Sequence, residues 1–292
     1  MKYSWRLLRC GSFRLDAGAM IGMIPKVVWQ RWFPQSGPEA IDDRNRMGLQ
    51  SNSLLIEGGG KIGVIEVGIG DKLAQKERDQ YSQENRTISD ALHEIGAREE
   101  DVSWVIVTHL HFDHAGGLTR RARPGSNAPK IGDVEITFPN AEIIVQRREW
   151  EDALANKSTM HRTYLRDHLN ELVAERVRLI DGDKSEVEVL PGITCWTIQG
   201  HTWGQQAVRF TDTGGHTIAF IPDVMPTRFH ERPTTNMAYD QEPYVSMIER
   251  TKLLDRARRE KWRLVLDHEF GPPMFEVERD KEGADRLRVV EV

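Results

Sequence analysis

Only two cysteines, Cys10 and Cys195, occur in 292 residues. That is too few for a thiolate metal site or a disulfide framework, and two free thiols in a reducing compartment is the simplest reading. Long apolar runs are missing too: no stretch approaches the roughly 20 residues that a membrane-spanning helix needs. Met1 to Phe13 is basic but lacks the continuous apolar stretch of a secretion signal, so a cytoplasmic protein is expected. Positive charge is not in excess. The formal net charge is -5, whereas a nucleic-acid footprint is usually basic. Local runs such as Arg120, Arg121 and Arg123, or Arg256, Arg258 and Arg259, read as solvated surface. Neither an internal repeat nor a low-complexity tract breaks the chain, and residues 1–292 read as one domain.

What is present is ordinary globular composition, 39% hydrophobic and 29% charged, enough to bury a sizeable core. Leu49 to Glu57, the Gly58-Gly59-Gly60 turn and Lys61 to Val67 predict a β-hairpin. Thr87 to Ile95 predicts a helix, with Thr87 and Asp90 spaced as a capping box, an apolar stripe at Ile88, Ala91, Leu92 and Ile95, and Gly96 as its stop. Short β-branched runs predict strands at 102–107, 141–146, 177–180, 193–198, 206–211, 217–221 and 263–266. Helices are predicted at 147–155, 159–175 and 244–259. The order is mixed α/β, without the regular alternation of a doubly wound parallel sheet. Two regions read as irregular, 16–46 and 225–243, and long loops are often functional. The first is dense in Met20, Ile21, Trp29, Trp32 and Phe33, which suits core, pocket wall or a contact between subunits.

The densest chemistry lies at 108–117, Thr-His-Leu-His-Phe-Asp-His-Ala-Gly-Gly. His109, His111, Asp113 and His114 fall within six positions, and neutral imidazole and carboxylate are good ligands for zinc and similar divalent ions. If the backbone stays extended, residues at i, i+2 and i+4 point the same way, and the following glycines permit the turn that brings His114 round. Three further candidates, His201, Asp223 and His268, each stand just where an apolar strand run stops. A rigid sheet offers its ligands in this way to a site at one edge. The remaining histidines, His93, His161, His168, His216 and His230, read as solvated, with His230 set apart by lying in the loop after Asp223.

On the run at 109–117, Gly200-His201, Asp223 and His268, the sequence resembles the metallo-β-lactamase superfamily over roughly Ser51 to His268. The Ile143-to-Arg147 stretch adds a likeness to its quorum-quenching lactonase and organophosphate hydrolase branch. The resemblance implies an α/β fold, a four-layer αβ/βα sandwich with the site at one edge. It implies two divalent metal ions, zinc before others: one held by His109, His111 and His201, the second by Asp113, His114 and His268, with Asp223 and a hydroxide between them. Asp113 and Asp223 are then the catalytic carboxylates. A metal-activated water attacks at neutral pH, and the residual positive charge favours an anionic transition state.

Three positions depart from that family. Glu66-Val67-Gly68 stands where many relatives have Asp-Thr-Gly, making Glu66 the expected supporting carboxylate. Thr202-Trp203-Gly204-Gln205 replaces the usual Thr-Pro-Gly-His. Pro226 stands where the lactonases place a tyrosine, and Tyr239 and His230 are the candidate substitutes. Trp29, Met225, Phe229, His230 and Tyr239 are the candidate substrate contacts, and they suggest a mainly apolar, neutral small molecule cleaved at a lactone or ester bond. The alternatives are a phosphotriester- or phosphodiester-cleaving hydrolase, and an oxidoreductase resembling the mononuclear-iron persulfide dioxygenases. The expected partner is a small-molecule substrate, with no nucleic acid and no membrane; a homodimer is the candidate assembly.

Overall fold

A computed structural model describes residues 1–158, 163–182 and 185–291. Its first sheet has six strands, ordered in space as in the chain: Ser4–Asp16, Arg46–Gly58, Lys61–Ile65, Val102–Ile106, Glu142–Gln146 and Val177–Ile180. The first three pair antiparallel and the rest parallel. The second sheet has seven: Val187–Leu190, Ile193–Thr197, Gln206–Thr211, Thr217–Ile221, Arg263–Leu266, Met274–Arg279 and Asp285–Val289. All its pairings are antiparallel except that of Thr217–Ile221 with Arg263–Leu266. A small third sheet joins Thr119–Arg121, Val134–Ile136 and Lys130–Ile131.

Period-two alternation sorts these strands into layers. Leu54, Ile56, Ile65, Trp104, Ile106 and Ile144 face Ile193, Cys195, Val208, Phe210, Phe220 and Val265 across the gap between the large sheets. The opposite face of the first sheet, through Leu55, Val64, Val105 and Ile143, packs on the helices Ile88–Glu94 and Arg147–Leu154. The opposite face of the second, through Ala207, Ala219, Ile221 and Leu264, packs on the helix Pro243–Glu260. The result is the four-layer αβ/βα sandwich that the resemblance implies. The capping box is formed: the backbone N–H and Oγ1 of Thr87 donate to the Asp90 carboxylate at 2.8 and 2.7 Å. Both cysteines are buried and free.

The structure corrects several expectations. Residues 4–16 form a long strand that the polar-interrupted sequence conceals. Within 16–46 the chain folds into the short helices Ala17–Ile21 and Lys26–Trp29, which bury Met20, Ile21, Trp29 and Phe33 as core. Part of the predicted helix 159–175, with His161, lies outside the described residues; the rest holds only a turn at Arg166–His168 and the short helix Glu171–Ala174. His168 and His230 are fully buried instead of solvated. Arg120 is buried as well, with its guanidinium on Glu99 and Glu135.

Two polar clasps hold the sheets together beside the site. Gln206 Nε2 donates to the Val107 carbonyl (2.8 Å) while its Oε1 accepts from Gln146 Nε2 (2.9 Å). Asn52 Nδ2 donates to the Leu266 and Glu269 carbonyls, both at 2.9 Å. The His-rich segment is pressed close to the end of the first sheet, since a Cβ on Gly117 would lie 2.1 Å from the Val67 carbonyl oxygen. Gly117→Ala should therefore cost about 1–3 kcal/mol by overpacking against backbone. Urea unfolding checks this, and an unchanged midpoint would contradict it.

Candidate metal centre

The strands Ile193–Thr197, Thr217–Ile221 and Arg263–Leu266 run in the same direction, so their C-terminal ends meet at one edge of the second sheet. His201, Asp223 and His268 follow those ends. Val102–Ile106 delivers the His-rich run to the same edge from the first sheet, and the Gln206 backbone N–H donates to the Thr108 carbonyl there (2.8 Å). His111 precedes a one-turn helix, Phe112–Ala115, whose tight curvature swings Asp113 and His114 inward.

All seven side chains are buried and converge. His109 Nε2 lies 3.1 Å, and His201 Nε2 3.0 Å, from His111 Nδ1. His268 Nε2 lies 3.0 Å from His114 Nε2. Asp113 sits at the second group, 3.6 Å from His268 Nε2 and 3.8 Å from His114 Nε2. Asp223 stands between the groups, Oδ2 3.2 Å from His201 Nε2 and Oδ1 3.4 Å from His268 Nε2. Two sets of potential ligand atoms result: His109, His111 and His201, and then His114, Asp223, Asp267 and His268.

Asp267 is a member that the sequence reading passed over. The only signal for it was its place beside His268 at the end of a strand.

The donor chemistry of this cluster fits divalent cations. Imidazole nitrogens face one another here instead of complementary partners. Among the described residues, His111 Nε2, Asp223 Oδ1 and both Asp267 oxygens are buried with no hydrogen-bond partner, which is costly unless a cation engages them. Burial and the neighbouring imidazoles hold His109 and His111 well below the usual histidine range, the neutral form that binds metal. Burial also pulls down on His114, but Asp113, Glu66 and Asp223 outweigh it and raise that ring. Asp223 is held well below the carboxylate range: burial opposes this, and His201, His268 and His114 overcome it.

Further carboxylates orient these ligands. Glu66 accepts from the Thr108 backbone N–H and lies 2.9 Å from His114 Nδ1. It reaches both from a left-handed backbone conformation, φ 66°, which is strained for a residue with a side chain. Asp240 Oδ1 lies 3.0 Å from His201 Nδ1, and the Gln50 carbonyl 3.0 Å from His268 Nδ1. Glu149 is fully buried and ties two ligand loops together. It accepts from Leu110 N (3.0 Å) and Tyr164 OH (3.1 Å) on one side and from Thr202 Oγ1 (2.6 Å) on the other. Gly204 permits this, since a Cβ there would meet the Glu149 backbone nitrogen at 2.2 Å. Nothing in the sequence marked Asp240 or Glu149, because each acts across long sequence separations.

A cavity of about 570 Å³ opens onto the centre, with His111, Asp113, His201, Asp223 and His268 in its wall. Met20, Leu73, Phe112, Leu165, Met237 and Tyr239 supply its apolar part. Of the five predicted substrate contacts only Tyr239 lines it. Trp29 and Met225 are core. Phe229 packs on Phe33 with ring centroids 4.4 Å apart. His230 is locked between the Met20 carbonyl and Thr227 Oγ1, both at 2.9 Å. Trp29, Phe229 and His230 point into packing around the helices at 17–29, and Met225 into the core beneath the helix Pro243–Glu260. Burial raises the Tyr239 hydroxyl above its ordinary range, so it stays a proton donor.

A sequence profile of the metallo-β-lactamase superfamily matches residues 46–221. An N-acyl homoserine lactonase of Bacillus thuringiensis is 30% identical over 174 residues, 59% of this chain and 58% of the relative. One from Bacillus cereus is 28% identical over 176 residues, with the same shares. The match thus spans under two thirds of those relatives' length. Among solved structures, a probable metal-dependent hydrolase from Staphylococcus aureus superposes with a TM-score of 0.82 at 25% identity, covering 100% of this chain and 99% of the other. A dizinc quorum-quenching lactonase solved with its product superposes with a TM-score of 0.75 at 15% identity, covering 99% and 95%.

Outer carboxylates of this kind typically contribute 10–100-fold to metal affinity. Glu66→Ala should weaken divalent-cation binding at the His114 group, and Asp240→Ala at the His201 group, each by roughly that factor. Chelator competition on the folded variants measures it, and unchanged affinity in both would contradict these roles.

Proposed function

The chain belongs to the metallo-β-lactamase superfamily, and from that premise we propose that it is a dinuclear metal-dependent hydrolase cleaving a lactone or carboxylic ester in a small molecule with an apolar body. The observation that carries this reading is the Asp223 carboxylate, whose two oxygens lie within 3.4 Å of histidines from separate groups. His109, His111 and His201 would hold one divalent cation, zinc before others. His114, His268 and Asp113 would hold the second, with Asp267 close by and Asp223 shared. Bound there, the cations supply Lewis acidity and make water a nucleophile near neutral pH.

The chain's own groups do the rest. The apolar wall of the cavity excludes water from the reacting bond and receives an acyl chain; ligand pockets of such size, about 300–1,000 Å³, suit small molecules. Glu66 and Asp240 keep the His114 and His201 rings from turning, and Glu149 holds the loops that carry His109, His111 and His201. Tyr239, protonated and on the cavity wall, donates to the oxygen that gains charge as the carbonyl is attacked. It thereby takes the task that Pro226 cannot perform. The lactonase activity of the Bacillus relatives supports a lactone as the first substrate to try.

The reading is tested with a panel of N-acyl homoserine lactones, aryl esters and phosphotriesters on metal-loaded protein. Turnover of a lactone or carboxylic ester is expected, and Asp223→Ala or His111→Ala should abolish it. Turnover confined to phosphotriesters, or surviving in both variants, would contradict the reading. Tyr239→Phe should lower kcat by roughly 10²–10³, the usual cost of one lost oxyanion donor, without changing metal content. An unaltered kcat would remove Tyr239 from the mechanism.

A further inference from the structure

The cavity carries polar groups on its outer wall as well as at the ligand cluster. Its buried floor carries the ligand groups with Met20, Leu73 and Met237, all nearly inaccessible. Its outer wall is built from Arg14, the turn Arg44–Arg46 and the helix Gln75–Tyr81, which contributes Lys76. The Arg46 guanidinium donates to the Gln80 carbonyl and so holds that turn against that helix. Four cations line this wall, against the two carboxylates Asp16 and Glu77.

With Arg46 paired to Asp42, three cations face the two carboxylates, and the wall keeps a positive excess. Arg46 is neutralised by Asp42 at 2.8 Å. Asp16 accepts from the Ala19 backbone N–H and Asn45 Nδ2, and Glu77 from Ala74 N at 3.1 Å, uncharged donors that leave both carboxylates charged. Arg14 gives its guanidinium to three backbone carbonyls, of Pro38, Ala40 and Arg46, none of which cancels its charge. Among the described residues Arg14, Arg44 and Lys76 have no carboxylate within salt-bridge distance. A wall with an excess of one sign beside a low-dielectric cavity concentrates ligands of the opposite sign.

Resting on the hydrolase reading above, we propose that the natural substrate carries a carboxylate at the end remote from the scissile bond, and that Arg44 and Lys76 receive it at the cavity mouth. The apolar mid-section then spans the body of the substrate, and the acidic end fixes which way round it enters. A wholly neutral acyl chain uses only part of this surface. Arg44 and Lys76 are thus specificity-determining residues that act on binding and orientation, away from the reacting atoms.

The test compares two medium-chain esters that differ only in ending in a methyl group or a carboxylate. It pairs them with the corresponding amides, which resist hydrolysis, for calorimetric binding to the metal-loaded protein. The carboxylate-ended amide is expected to bind roughly 3–10-fold more tightly at low salt, the scale of one or two exposed charge pairs, with the gap closing at high salt. In Arg44→Gln/Lys76→Gln the ratio between the two amides, and between the kcat/KM values of the two esters, should fall to about one. Equal binding in the native protein, or a preference that survives the double substitution, would overturn the proposal. If neither ester is cleaved while the amide preference depends on Arg44 and Lys76, the anion subsite stands and the hydrolase reading falls.

Discussion

Five imidazoles and three carboxylates share one buried edge of this sandwich, and Asp223 lies between the two halves of that group. Gathering so many polar and ionisable atoms away from water is strongly unfavourable unless compensating charge joins them. Much of the surrounding structure is arranged to hold this unfavourable cluster in place. The Gln206 and Asn52 clasps fix the spacing of the sheets beside it. Glu149 binds the loop of His109 and His111 to that of His201. Glu66 accepts a strained backbone to reach His114. Divalent cations are the compensating charge that this donor set suits, since neutral imidazole and carboxylate are their preferred ligands.

What could be read beforehand follows a physical division. The core strands were legible because β-branched runs such as Val102–Ile106 and Thr217–Ile221 bury both faces. The seven ligand candidates were legible because metal chemistry restricts residue type and because strand ends place them. The strand Ser4–Asp16 was concealed by its charged and glycine positions, which alternate with core residues Leu8, Cys10 and Phe13. Asp240 and Glu149 were illegible for another reason. An outer carboxylate is defined by what it touches, and Glu149 touches Leu110 and Thr202 from far along the chain. Trp29, Met225, Phe229 and His230 misled because proximity in sequence to Asp223, or aromatic density, does not say which face of a short helix points inward.

The cavity then divides its labour along its length. The ligand groups form the buried floor, apolar side chains with Tyr239 line the wall, and the exposed Arg44 and Lys76 with Arg14 give the outer side a positive excess. Membership of the superfamily accounts for the first of these. The mouth depends on residues 14, 44 and 76, which carry no metal chemistry, and there the chain sets its own specificity. The departures at Glu66 and Pro226 fit the same view. The longer carboxylate of Glu66 serves two partners from a bent backbone, and the hydroxyl absent at 226 is available from Tyr239 on the cavity wall.

Elemental analysis of the natively purified protein bears most directly on the central claim. Two divalent ions per chain are expected, zinc foremost, falling to about one when His268 and His114 are replaced together. A metal-free protein that takes up no ion when supplied with it, or a single iron per chain, would contradict it.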